Sequence, residues 1–112
     1  MSIFKHYPPR EDVVSRNYEI DVSLYEQLEK LSNEKYDASI NKLLNTCIEH
    51  FLKTKKIDLY KRPKKEVTVY RSFIIRRSLY DGLAQLREDY KISFNRLVNI
   101  AIYNALLEEK KD

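Results

Sequence analysis

Ser39-Ile-Asn-Lys-Leu-Leu-Asn-Thr-Cys-Ile-Glu-His-Phe-Leu52 returns 54 residues later as Ser93-Phe-Asn-Arg-Leu-Val-Asn-Ile-Ala-Ile-Tyr-Asn-Ala-Leu106, with 6 of 14 positions identical. In the first copy Ile40, Leu43, Leu44, Cys47, Ile48, Phe51 and Leu52 fall at i, i+3, i+4, i+7, i+8, i+11 and i+12. That spacing lines one face of an α-helix with apolar side chains. Phe94, Leu97, Val98, Ala101, Ile102, Ala105 and Leu106 repeat it. A serine opens each copy, as a helix N-cap does.

The repeat extends upstream. Ser23-Leu-Tyr-Glu-Gln-Leu-Glu-Lys-Leu31 matches Ser78-Leu-Tyr-Asp-Gly-Leu-Ala-Gln-Leu86 at 5 of 9 positions, now at an offset of 55. The second connection is therefore one residue shorter, and the loop between the helices is the expected place for the difference. Leu24, Leu28 and Leu31, like Leu79, Leu83 and Leu86, mark a first helix in each half, with Ser23 and Ser78 as expected N-caps. Before each helix the period changes to two. Val14, Tyr18, Ile20 and Val22 alternate with Ser15, Asn17, Glu19 and Asp21, and in the second half, richer in β-formers, the matching inward set is Val67, Val69, Phe73 and Ile75; Arg16 and Arg71 interrupt the two apolar faces at equivalent places.

A lone strand with two short helices leaves its apolar faces uncovered and its backbone groups unpaired. Antiparallel pairing of the two strands over four helices removes both problems. The expectation is a mainly α fold with a short antiparallel β-ribbon, in the order β-α-α-linker-β-α-α. It forms a single compact unit over 1–112. Within it lie an N-terminal arm (1–12), a first motif (13–52), a basic linker (53–65) and a second motif (66–107). The linker carries seven basic residues and one acid, and Pro63 stops a helix from running through it.

Composition excludes several classes. The chain has 112 residues, net charge +4 and one glycine, so neither a glycine-rich phosphate loop nor a turn-rich all-β fold is expected. The one cysteine, Cys47, rules out an internal disulfide and a multi-cysteine metal site. It falls on the apolar stripe opposite Ala101 and reads as a small core residue. His6 and His50 have no metal-ligand spacing. Tyr25 and Tyr80, and Tyr36 and Tyr90, recur in both halves and read as packing around the first helices. No nucleophile–base set or carboxylate pair stands out, so no enzyme, catalytic residue, metal or cofactor is expected. No apolar run reaches the roughly 20 residues of a membrane span, and the N-terminus has no apolar signal core. A cytoplasmic protein is the expectation.

Each half resembles a ribbon-helix-helix DNA-binding protein of the Arc and MetJ type. The resemblance lies chiefly in the second helix, whose family pattern is roughly Ser-x-Ser-x-Leu-Ile-x-x-Ala-Ile-x-x-Tyr/Phe-Leu. Asn41 and Asn95 stand for the second serine, and Cys47 for alanine. Tyr36-Asp-Ala38 and Tyr90-Lys-Ile92 occupy the turn where the family has a glycine. Family members pair single motifs as homodimers; two motifs in one chain imply a tandem pseudo-dimer.

The resemblance implies a ribbon laid in the major groove of double-stranded DNA. With the faces assigned above, Ser15, Asn17 and Glu19 of one strand and Tyr70, Ser72, Ile74 and Arg76 of the other are the expected base contacts. A one-residue shift of register exchanges the faces, turning Arg16 and Arg71 outward but exposing Ile20 and Ile75; long arginines at the ribbon ends are possible DNA contacts in either register. The second helices then offer their N-termini to phosphates, with Ser39, Asn41 and Lys42 at one and Ser93, Asn95 and Arg96 at the other. Plain capping is the simpler role of the two serines. The strands differ in charge: Val13–Val22 sums to −1 and Val67–Arg77 to +3. An asymmetric DNA site dominated by the second strand follows as an expectation.

The function implied is a transcriptional repressor of bacterial, plasmid or viral type, associated with nucleoid or plasmid, with self-association on DNA as an option. The alternatives are an accessory factor in plasmid transfer or partition, or an antitoxin-type protein-interaction module. Only six residues follow Leu106, few for an antitoxin tail. The arm, with Lys5 and Arg10, offers a second route to a protein or to DNA.

Overall fold

The computed structural model describes Phe4, residues 12–57 and residues 60–111. Most of the N-terminal arm, with Lys5, His6 and Arg10, lies outside these residues. The chain forms β1 (Val13–Asp21), α1 (Val22–Lys30), a π-helical segment (Leu31–Lys35), α2 (Ile40–Thr54), β2 (Thr68–Arg76), α3 (Arg77–Tyr90) and α4 (Phe94–Lys111). Among the described residues there are thus four α-helices and one two-stranded antiparallel sheet.

The expected tandem pseudo-dimer order β-α-α-linker-β-α-α is not matched. The π-helical segment stands between the helices of the first half and has no counterpart in the second. It holds the residue that separates the two offsets. A π-turn adds one residue to a helix without ending it, and Tyr36 N–H donates to Leu31 O, five residues back, at 3.0 Å. The extra residue therefore sits inside the helix and not in the loop. Before the second helix each half turns through a left-handed residue, Asp37 (φ 45°) and Lys91 (φ 58°), where glycine is the easier choice.

The expected caps also differ. Ser23 and Ser78 lie inside the first turns, and α1 and α3 begin without a side-chain cap at Asp21 and Arg76. The backbone supplies the acceptors instead. Val22 N–H donates to Val67 O at 2.8 Å and Arg77 N–H to Asp12 O at 2.7 Å, so the residue before each strand holds the helix that follows the other. Ser39 and Ser93 do cap their helices: their hydroxyls accept from Lys42 N–H (3.1 Å) and Arg96 N–H (3.2 Å).

The ribbon register pairs Asn17 with Ser72 at its centre, Val14 with Ile75 and Ile20 with Val69. Val14, Tyr18, Ile20, Phe73 and Ile75 are buried against the helices. Val67, expected on that face, precedes β2 and is 68% exposed. Beneath the ribbon, Leu43, Leu44, Cys47, Ile48 and Phe51 of α2 and Leu97, Val98, Ala101, Ile102 and Ala105 of α4 form the core with the leucines of α1 and α3. The single glycine, Gly82, lies where α3 passes α2. A Cβ there would stand 2.6 Å from Leu52 Cδ1.

Candidate nucleic-acid interface

Directly opposed residues of an antiparallel pair share a face, and neighbours alternate. The register therefore places Ser15, Asn17 and Glu19 of β1 with Thr68, Tyr70, Ser72, Ile74 and Arg76 of β2 on the side away from the helices. Ser15, Asn17 and Ser72 are exposed. Tyr70 is 68% exposed, Ile74 46% and Val13, at the strand's start, 52%. Glu19 is half-buried and held: Thr68 Oγ1 donates to its Oε1 at 2.7 Å, and Tyr70 OH to its Oε2 at 3.2 Å. The bond to Glu19 raises the Tyr70 hydroxyl above its ordinary pKa of 10.0, so the proton stays on the donor. Arg76 shares the face by register, but its side chain is only 12% exposed, with Nη2 3.1 Å from Glu49 Oε2 of α2. Its length lets it turn back to the helix, so the alternation of the strand overstates its reach outward.

Arg16 and Arg71 point toward the helix side and escape the core by leaving along its margin. The Arg16 guanidinium lies 5.6 Å from the Tyr80 ring centroid, and that of Arg71 5.0 Å from the Tyr25 ring. Each strand's arginine thus stacks over the first helix of the other half, and both side chains remain exposed.

The asparagines at the helix N-termini have a structural task. Both strands of a two-stranded ribbon are edges, with N–H and C=O groups facing away from the partner strand. Asn95 Oδ1 accepts from Glu19 N–H at 3.0 Å, and Asn99 Oδ1 from Asp21 N–H at 2.8 Å. Asn41 Oδ1 accepts from Ile74 N–H at 3.1 Å, and Asn45 Oδ1 from Arg76 N–H at 2.9 Å. The amides of Asn99 and Asn45 donate in turn to Glu19 O (3.0 Å) and Ile74 O (2.8 Å). Asn41 and Asn95, expected at phosphates, therefore spend their side-chain oxygens on the ribbon edges. Sequence reasoning misses Asn45 and Asn99, although Asn-x-x-x-Asn occurs in both second helices on an otherwise apolar side. Of the remaining phosphate candidates, Lys42 is half-buried and Arg96 exposed.

The two edges differ in what lies beside them. Next to β1, a cleft of about 650 Å3 is bounded by Glu19 and Asp21, by Ser93 and Arg96 at the start of α4, and by Lys61 and Arg62 of the linker. Asp21 is 1% exposed and accepts from Tyr60 OH (2.5 Å) and Arg62 Nε (2.8 Å). Burial, then the bond to Asp21, pushes the Tyr60 hydroxyl well above its ordinary range and keeps it a donor. Tyr60 also packs on Tyr103 of α4, ring centroids 4.8 Å apart. The linker is thereby tied to one end of the ribbon.

Cys47 is fully buried, and burial pushes its thiol up, away from the reactive thiolate. His50 is half-buried on α2. Among the described residues no group of three or more His, Cys, Asp or Glu side chains is placed to hold a metal ion, and no helix is long and apolar enough to cross a membrane. No protein-family model, curated protein or solved structure matches this chain.

Proposed function

We propose that this protein binds double-stranded DNA sequence-specifically and acts as a transcriptional regulator, most simply a repressor, with the outer face of its β-ribbon in the major groove. The observation that carries the reading is that face. Two strands of nine residues present Ser15, Asn17, Tyr70, Ser72 and Ile74 to solvent, on a backbone whose outer edges are bonded by four asparagines at Glu19, Asp21, Ile74 and Arg76. The major groove admits a two-stranded ribbon, and side chains of these types hydrogen-bond base edges or touch the thymine methyl. The likeness to ribbon-helix-helix DNA-binding proteins belongs to this proposal, as does a cytoplasmic place on nucleoid or plasmid DNA. Phosphates are met by Arg96, Lys42 and the capped N-termini of α2 and α4, aided by the net charge of +4.

Selection of duplexes from a randomised pool tests it, run with the wild type and with Asn17→Ala/Ser72→Ala/Ile74→Ala. All three side chains are exposed, so the variant keeps its fold, which thermal unfolding checks. The expected outcome is a motif enriched by the wild type and lost by the variant. Enrichment of no motif, or of the same motif by both proteins, would overturn ribbon readout.

A further inference from the structure

The outer face of the ribbon has two chemically opposite ends. The repeat relates residues 55 apart, and it exchanges the strands about the central Asn17–Ser72 pair. Under this exchange Val13 corresponds to Thr68, Ser15 to Tyr70 and Glu19 to Ile74. Each end thus carries an equivalent triplet of positions filled by different chemistry. At one end Val13 and Ile74 are diagonal neighbours, 52% and 46% exposed, beside the small Ser15. At the other, Thr68 and Tyr70 both donate to Glu19, fixing its carboxylate against the ribbon.

Resting on the DNA-binding reading, the geometry points to a non-palindromic duplex as the ligand, with thymine methyl groups at the Val13/Ile74 end and a cytosine amino group at the Glu19 end. The apolar pair offers no hydrogen bond to a base edge but gains by covering a methyl group. Glu19 is an acceptor only. Two hydroxyls use part of its lone-pair capacity, and the rest suits an exocyclic amino donor such as cytosine N4. A phosphate or a carbonyl base edge is repelled there. Because Thr68 and Tyr70 hold the carboxylate before DNA arrives, its choice of base is set in advance. A homodimer would present the same triplet at both ends; this chain presents two.

The test uses the full chain and the duplex enriched from the randomised pool, with binding measured after single-group changes to the DNA. Thymine→deoxyuridine at the Val13/Ile74 end removes one methyl and is expected to weaken wild-type binding about fourfold, while Ile74→Ala shows little further loss on the uracil duplex. At the other end, replacing the preferred C·G pair by T·A exchanges donor for acceptor. It is expected to weaken wild-type binding about tenfold or more, and Glu19→Gln, which can donate as well as accept, narrows that gap. A perfectly palindromic selected site, or a uracil duplex bound as tightly as its thymine parent, overturns the inference while duplex binding itself stands. Failure to enrich any duplex overturns both this inference and the function on which it rests. Because the DNA changes leave the protein intact, misfolding of a variant cannot mimic either result.

Discussion

At the outer edge of β1, Asn95 and Asn99 take up the N–H groups of Glu19 and Asp21; at the outer edge of β2, Asn41 and Asn45 take up those of Ile74 and Arg76. The four bonds correspond pair by pair across the repeat. One step away the correspondence ends. Asp21 receives Tyr60 and Arg62 from the linker, whereas Arg76, its equivalent, pairs with Glu49 of α2. The difference teaches which parts of a duplicated sequence are free to drift. An edge strand exposes the same backbone groups whatever its side chains, so both halves need the same asparagines. The side chains beyond answer to different neighbours: on the outer face Thr68 and Tyr70 hold Glu19 at one end, whereas its equivalent Ile74 stands exposed at the other.

The largest effect is expected where the edges agree. Asn99→Ala removes three hydrogen bonds and strands the N–H of Asp21 and the C=O of Glu19; a loss of about 3 kcal/mol follows. Asn45→Ala has the same three partners on the other edge and should lose a similar amount in urea unfolding. Losses that differ by more than about 2 kcal/mol would break the equivalence of the edges. Next come the corners. Asp21→Ala releases both linker contacts at a site 1% exposed and is expected to cost about 2 kcal/mol. Glu49→Ala on the opposite corner, where the pair is partly open to solvent, should cost about 1 kcal/mol or less. No measurable cost for Asp21→Ala would mean that the linker contributes nothing to holding its end of the ribbon.

The two turns offer a smaller and favourable change. Lys91→Gly and Asp37→Gly each relieve a left-handed non-glycine residue. Each should raise stability by about 0.5–1 kcal/mol, read as a higher unfolding midpoint. A drop in both would show that their side chains matter more than their backbone.

The smallest effect concerns Tyr18, 3% exposed, whose equivalent is Phe73, 1% exposed. Among the described residues the Tyr18 hydroxyl has no hydrogen-bond partner, and burial raises its pKa from 10.0 to about 12. A raised pKa favours the protonated, folded form. Stability from this group is complete below pH 10 and is lost as pH climbs from 10 toward 12. Tyr18→Phe should therefore change stability at pH 7 by no more than about 1 kcal/mol and flatten its fall above pH 10.

Much of the fold can be read in the chain because its signals are long. Fourteen-residue apolar stripes define α2 and α4, and period-2 alternation with Ile20 and Ile75 sets the buried side of the ribbon. The π-segment escaped because Leu24, Leu28 and Leu31 keep helical spacing up to its first residue, and the change of offset from 55 to 54 suits a loop insertion equally well. The asparagine contacts escaped for a different reason. An asparagine near a helix N-terminus reads as a group for anions until the ribbon register shows which edge N–H it faces. Alternation alone places Arg76 outward, and only the packing of α2 shows Glu49 within its reach. At the candidate interface, the outward positions of Ser15, Asn17, Glu19, Tyr70, Ser72 and Ile74 follow from alternation. The fixing of Glu19 by Thr68 and Tyr70 needs the cross-strand register.

Titrating the selected duplex at several salt concentrations, with the wild type and with Asn17→Ala/Ser72→Ala/Ile74→Ala, separates base contacts from phosphate contacts most directly. The account predicts parallel lines of log affinity against log salt, the variant lying about 2–4 kcal/mol weaker, because the substitutions remove base contacts and leave the phosphate contacts in place. Coincident lines for the two proteins would contradict the claim that the outer face of the ribbon reads DNA.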